Sequence, residues 1–139
     1  MSTERPAILI SSLDLDRLEH LLESAEFAKD PGADALRGEI ERADVVRPQD
    51  MPADVVTMNS TLECVDEVSH DTHTLTLVYP DRADRDKGRI SVLAPVGTAL
   101  LGLRVGQVIE WPSPSGSKPL RLKVLSISYQ PEAAGELHR

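Results

Sequence analysis

Glu26, Asp30 and Asp34 cluster around the break "KDPGAD". Carboxylate oxygens of this kind are what a magnesium ion takes while it keeps several of its waters. The same residues also cap helix ends and solubilise a surface, which accounts for the cluster from the residues alone. His70 and His73 stand three apart with Asp71 between them. Residues three apart on a strand face opposite sides, so the two imidazoles do not converge on one ion and read as a solvated pair. Cys64 is the single cysteine, which excludes an internal disulfide and a multi-cysteine metal site; its expected place is as a small hydrophobe inside a strand. "GSKP" and "DKGR" lack the spacing of a phosphate loop, there is no Gly-x-Ser-x-Gly elbow, and His20 and His138 are peripheral. No catalytic residue, metal site or cofactor is assigned on these grounds.

The acids sit between two helical patterns. Ser11 or Ser12 can cap the first, with Asp14 and Asp16 in the turn where the helix dipole favours acids. Leu18, Leu21, Leu22, Ala25 and Ala28 then form one apolar stripe. That arm of about 18 residues would measure roughly 27 Å at 1.5 Å per residue. Pro31 suits a first helical position with Asp30 as cap, or Asp34 caps a later start, and Leu36, Ile40 and Ala43 supply a second stripe. The pair reads as an antiparallel helical hairpin, with Glu26, Asp30 and Asp34 at its tip. Pro48 and Pro52 mark a linker, which divides the chain into residues 1–47, the hairpin, and 48–139, the globular part.

Beyond the linker the pattern is β. Residues 54–67 hold two short runs around "NS", "THTLTLVY" alternates strictly, and "RISV" and "QVIEW" flank a helical turn in "VGTALLG". A turn is expected at "PSPSGS", followed by the long strand "LRLKVLSISY". In that strand Leu120, Leu122 and Val124 share one phase, and Leu125, Ile127 and Tyr129 the other; a bulge near Val124 would bring both onto the core. The fold class is α+β.

With 139 residues and 15.2 kDa, the chain has the size of a single domain or of a domain with a small appendage. Aromatics make up only 3%, so the core must be aliphatic. A net charge of −8 without a Lys/Arg cluster argues against phosphate-driven nucleic-acid binding and suits a basic protein surface instead. No signal-type segment and no run of about 18 apolar residues is present, so a cytoplasmic, non-membrane monomer is expected.

The most punctuated apolar run is "ISVLAPVGTALLGLRVGQVIEW", residues 90–111. Gly102 fits the end of a short helix and Gly106 a tight turn, while Pro95 ends the preceding strand and presents Val96. Two readings stand: a structural connection between strands, or a presented apolar loop on which a partner docks.

The stretch "KGRISVLAPVGTALLGLRVGQVIEW" resembles the C-terminal domain of the GreA/GreB transcript-cleavage factors, and "MPADVVTMNSTLECVDE", "TLVYP" and "YQPEAAG" extend the resemblance from about Ile8 to Gly135. The resemblance implies a short N-terminal antiparallel coiled-coil hairpin projecting from an FKBP-like antiparallel sheet domain. It also implies binding to bacterial RNA polymerase at the mouth of the secondary channel. The family's docking loop maps onto Ala94, Pro95, Val96 and Gly97, with Leu100 and Leu101 beside it; alanine stands at 94 where the family has serine. Cleavage factors carry a D-x-x-E-N pattern at an acidic tip that helps hold a magnesium ion in the polymerase. "KDPGADALRGE" departs from it, and a short arm cannot place Asp30 and Asp34 at a distant metal. Binding without cleavage, in competition with other secondary-channel factors, is the expectation, with an indirect effect on nucleoside diphosphate kinase through transcription. The alternatives are direct binding to that kinase and cleavage stimulation by the tip acids. Prolyl isomerisation, which the FKBP-like fold suggests, is disfavoured because only Tyr79, Trp111 and Tyr129 could line such a pocket.

Overall fold

The computed structural model describes residues 7–111 and 119–136; the turn expected at "PSPSGS" and His138 lie outside the described residues. The chain opens with β1 (Leu9–Ser11) and α1 (Ser12–Glu23), followed by α2 (Ala33–Arg42) and β2 (Asp44–Val46). Then come β3 (Thr61–Asp66), β4 (Thr72–Val78), β5 (Arg89–Ser91), α3 (Pro95–Leu100), β6 (Val108–Trp111) and β7 (Leu120–Tyr129). Helix and sheet are mixed, as an α+β reading requires.

Ser11 caps α1, its Oγ accepting from the Asp14 N–H at 3.0 Å. The helix stops at Glu23, 12 residues long and about 18 Å by its rise, well short of the expected arm. The cause is Ser24: its hydroxyl donates to the Leu21 carbonyl at 2.8 Å and accepts from the Phe27 N–H at 3.3 Å, a local alternative to further helix. Ala25 and Ala28 therefore belong to the connecting turn. Pro31 is not the first residue of α2 either. Gly32 is the N-cap and offers no side chain, while Asp30 Oδ1 accepts from the Gly32 N–H at 2.8 Å, bracing the turn instead of the helix. Deeper in α2, Glu39 is 1% exposed and receives both Arg42 Nε, at 3.0 Å, and a second guanidinium nitrogen at 2.8 Å. That two-point pairing is what makes a buried carboxylate tolerable.

β1 and β2 form a parallel two-stranded sheet, Ile10 opposite Val45. β1 is also stitched to the rest of the molecule, its Leu9 N–H donating to the Gly102 carbonyl at 3.2 Å. The five-stranded sheet has the order β5-β4-β3-β7-β6. It is antiparallel except at one edge, where β5 runs parallel to β4, so it is a mixed sheet and not the purely antiparallel one expected. The connection through Pro80–Arg82 and Arg85–Lys87, two short 3-10 turns, is what lets β5 return in the same direction.

The phase change in β7 is resolved by irregular pairing with β3. Cys64 lies opposite Val124 but Glu63 opposite Ser126, so Leu125 is the extra residue of a bulge, and a second shift follows between Leu62↔Ile127 and Thr61↔Tyr129. Leu122 and Val124 are buried and Ile127 packs against the core, whereas Leu125 itself is 37% exposed. The bulge thus rescues Ile127 at the expense of Leu125.

One apolar cluster runs through the molecule, joining Ile8, Ile10, Leu18, Leu22, Ala33 and Leu36 to Val56, Leu62, Leu77, Leu100 and Leu103. Polar clasps reinforce it around the turn at residues 57–60. Asp14 Oδ2 accepts from the Met58 N–H at 3.2 Å, Glu132 accepts from the Thr57 hydroxyl at 2.8 Å, and Gln130 Nε2 donates to the Pro52 and Val55 carbonyls at 2.7 and 2.8 Å.

Asp14 is only 4% exposed. Burial first, and then the Glu132 charge, push its carboxyl up from 3.8 to about 7, against the pull of the Met58 N–H, Arg17 and Ser11. The folded state therefore holds a proton that the unfolded chain has already released, so Asp14 costs stability as pH rises from about 4 to about 7. Asp14→Asn keeps an acceptor for Met58. It should gain on the wild type by a few kcal/mol, to order of magnitude, above pH 7 and converge with it near pH 4. Urea denaturation across pH checks this, and parallel curves for the two proteins would contradict it. A second expectation concerns the stitch of β1. Gly102 (φ +82°) and Gly106 (φ +90°) are both left-handed, but only a Cβ on Gly102 meets a neighbour, Ile8 Cβ at 2.6 Å. Gly106→Ala should cost about 1 kcal/mol of backbone strain, and Gly102→Ala clearly more, in the same denaturation experiment.

Candidate functional site

Residues 91–97 make a tightly held corner. The Ser91 carbonyl accepts from the Ala94 N–H at 3.0 Å and Ser91 Oγ from the Leu93 N–H at 3.0 Å, turning the chain sharply out of β5. Pro95 then starts α3, where a missing N–H is harmless. Thr98 locks the corner from inside, its hydroxyl reaching the Val92 and Ala94 carbonyls at 2.5 and 3.1 Å. Ala94, Pro95 and Val96 are half-buried at the surface.

The other three residues assigned to this loop lie elsewhere. A Cβ on Gly97 would sit 2.1 Å from the Ser91 carbonyl oxygen, and Leu100 and Leu101 are 0% and 1% exposed in the core. Gly97, Leu100 and Leu101 thus shape the corner from behind and offer no contact surface, because the short α3 turns them inward.

The acids of the connecting turn are not gathered into a metal site. Glu26 is exposed, Asp30 is engaged with the Gly32 N–H, and Asp34, 96% exposed, pairs with Arg37 at 2.9 Å. Among the described residues no three His, Cys, Asp or Glu side chains come together in a metal-holding group. His70, at φ +67°, and His73 in β4 are both exposed.

Sequence reasoning missed what holds the turn down. Gly32 is pressed onto the corner: a Cβ there would lie 2.0 Å from the Leu93 carbonyl oxygen. Arg37 binds the turn from the other side, donating to the Leu22 carbonyl at 3.1 Å and the Ala28 carbonyl at 3.2 Å. Gly32 reads only as a helix breaker in the sequence, and nothing local identifies the acceptors of Arg37. Asp14 had a signal, since it stands three residues after the capping Ser11, but nothing local shows that its carboxylate also reaches the distant Met58 N–H.

A groove of about 960 Å³ opens between α1, the connecting turn and the end of β4, lined by residues that include Arg17, His20, Phe27, Asn59, Tyr79 and Arg82. The Tyr79 hydroxyl is buried without a well-aligned hydrogen-bond partner. Burial and the Asp14 charge raise its pKa, while Arg17 opposes them. His20 is raised as well, chiefly by its 3.0 Å hydrogen bond to the Asp16 carbonyl and then by the Asp16 charge. With Asp16, Glu26 and Asp81 also in the lining, both signs of charge alternate with two rings. That composition suits a wet contact surface better than an apolar ligand pocket. Cys64 is buried in β3 with its thiol pushed up to about 11, first by burial, so it is protonated and unreactive at neutral pH.

Two family models match the chain, each over a different stretch. The family model described as transcription elongation factor, GreA/GreB, C-term, matches residues 51–129, and that described as Rnk N-terminus matches residues 6–46. The chain is 47% identical over 132 residues to a regulator of nucleoside diphosphate kinase from Escherichia coli K12, covering 95% of this chain and 96% of the relative. It is 34% identical over 125 residues to the transcription elongation factor GreA of Rhodospirillum rubrum, covering 84% of this chain and 80% of that protein. Among solved structures it is similar to a prokaryotic transcription elongation factor GreA/GreB from Nitrosomonas europaea, with 50% identity, TM-score 0.70, and coverage of 90% of this chain and 100% of that one. On these matches the chain belongs to the GreA/GreB family of transcription elongation factors, with the N-terminal region of the Rnk type.

Proposed function

We propose that this protein is a transcription regulator that binds bacterial RNA polymerase at the rim of the secondary channel and competes there with GreA/GreB-type cleavage factors without stimulating cleavage. The contact is made through Ala94, Pro95 and Val96, at the corner the family resemblance marks for docking. The observation that carries the non-cleaving half of this reading is the state of the connecting turn. Helices of 12 and 10 residues are joined by a turn that returns to the body at Gly32, which lies against Leu93, so Asp30 and Asp34 flank an anchored residue. Carboxylates anchored in this way are not carried outward to a distant metal, and Lewis-acid chemistry fails when the metal is even a few Å away. The coiled-coil description of the helix pair and the FKBP-like description of the sheet part belong to the same proposal.

The name of the Escherichia coli relative favours a second reading, contact with nucleoside diphosphate kinase itself. In the first reading any effect on that kinase passes through transcription. Size-exclusion chromatography of the mixed proteins separates the two, because co-elution would favour direct contact.

Competition is mass action, so occupancy should scale with concentration relative to Kd, and excess cleavage factor should reverse it. Displacement of a labelled cleavage factor from core polymerase is the expected result. Pro95→Asp, which puts a charge into the contact, should raise the concentration needed at least tenfold. A normally folded Pro95→Asp variant that competes undiminished would remove the assigned corner from the interface. Arrested elongation complexes should show no shortened transcripts on addition of the protein; shortening would make the tip acids functional.

A further inference from the structure

Pro31 is exposed and next to Gly32, and Gly32 is seated on the Leu93 carbonyl; Ala94 follows Leu93 directly. The seat is held on both sides. Ala33 and Leu36, both 0% exposed, share the core with Leu93 and Ala99, while Arg37 ties the turn to the Leu22 and Ala28 carbonyls. We propose that the connecting turn at Pro31 and the corner at Ala94, Pro95 and Val96 form one composite docking surface that a single segment of the partner covers. This deepens the polymerase-binding reading and rests on it. The division of labour differs, however: no part of the molecule reaches while another grips.

The chemistry of the partner segment follows from the patch. Its centre is apolar, with Pro31, Pro95 and Val96, and its rim is acidic, since Glu26, Asp30 and Asp34 outnumber Lys29 and Arg37 around the turn of a chain with net charge −8. A basic segment with an apolar crest fits it, and opposite charge across the rim would speed encounter and set orientation.

The test is site-specific photo-crosslinking of the full chain to core RNA polymerase, with the photoreactive residue at position 31 in one preparation and at 96 in another. Both positions should crosslink to the same short polymerase segment. Pro31→Arg, at an exposed site with little packing to lose, should weaken binding roughly tenfold by placing a cation against a basic surface. Crosslinks from 31 to a distant segment, or none while 96 still reacts, would overturn the composite surface, as would a Pro31→Arg variant that binds within twofold of the wild type. If the wild type does not bind polymerase and neither position reacts, the polymerase reading itself falls, an outcome distinct from loss of the 31 contact alone.

Discussion

The aliphatic faces of α1 and α2 have nowhere to be buried except against the sheet part. Leu18, Leu22 and Leu36 close over the same cluster as Val56, Leu77 and Leu103, and Ile8 and Ile10 of β1 belong to it as well. Burying a leucine is worth about 1.5–3 kcal/mol, so these three leucines together approach the net stability of a whole domain, about 5–15 kcal/mol. Pulling the helix pair off the body would therefore forfeit much of what keeps the molecule folded. The seat of Gly32 on Leu93, the Arg37 contacts and the Asp14 clasp all presuppose that packing.

A helix pair bound in this way presents surface and does not extend it. In the proposed docking its acids contribute field and orientation at the surface instead of ligands at a remote metal. The polar groups around residues 57–60 make the junction specific: a buried carboxylate, two hydroxyls and a side-chain amide each find a partner there. Such groups cost more if left unpaired than they return when paired, so they penalise any slipped arrangement of the two parts.

Much of this was legible in the residues. The stripe of Leu18 and Leu22, the capping Ser11, strands β3 to β7 and the turns at Gly102 and Gly106 follow from periodicity and backbone preference, and the phase change in β7 announced its bulge, whereas the short pair β1 and β2 gave no signal. Features that depend on distant partners were not legible. The length of α1 was overestimated because alanines continue the stripe while Ser24 diverts the backbone. The parallel edge strand β5 depends on the path of residues 79–88, which periodicity does not report. Gly97, Leu100 and Leu101 look like part of a presented loop until the direction of α3 is known, and Gly32 has meaning only beside Leu93. The family resemblance supplied the corner at 94–96, which composition left open between a connection and an interface.

The segment 52–60 is also where α1 and the stretch after β7 meet, Asp14 on Met58 from one side, and Gln130 on Pro52 and Val55 with Glu132 on Thr57 from the other, while β3 lies between β4 and β7. Synthesis delivers these pieces in a fixed order. When β3 and β4 have emerged from the ribosome, one edge of β3 still has no neighbour, and it stays open until β7 appears, roughly 40 residues after the end of β4 and several seconds later at about 5–20 residues per second. The nascent protein thus carries an unpaired, aliphatic-backed strand edge until β7 is made, and the pairing of β7 closes the sheet.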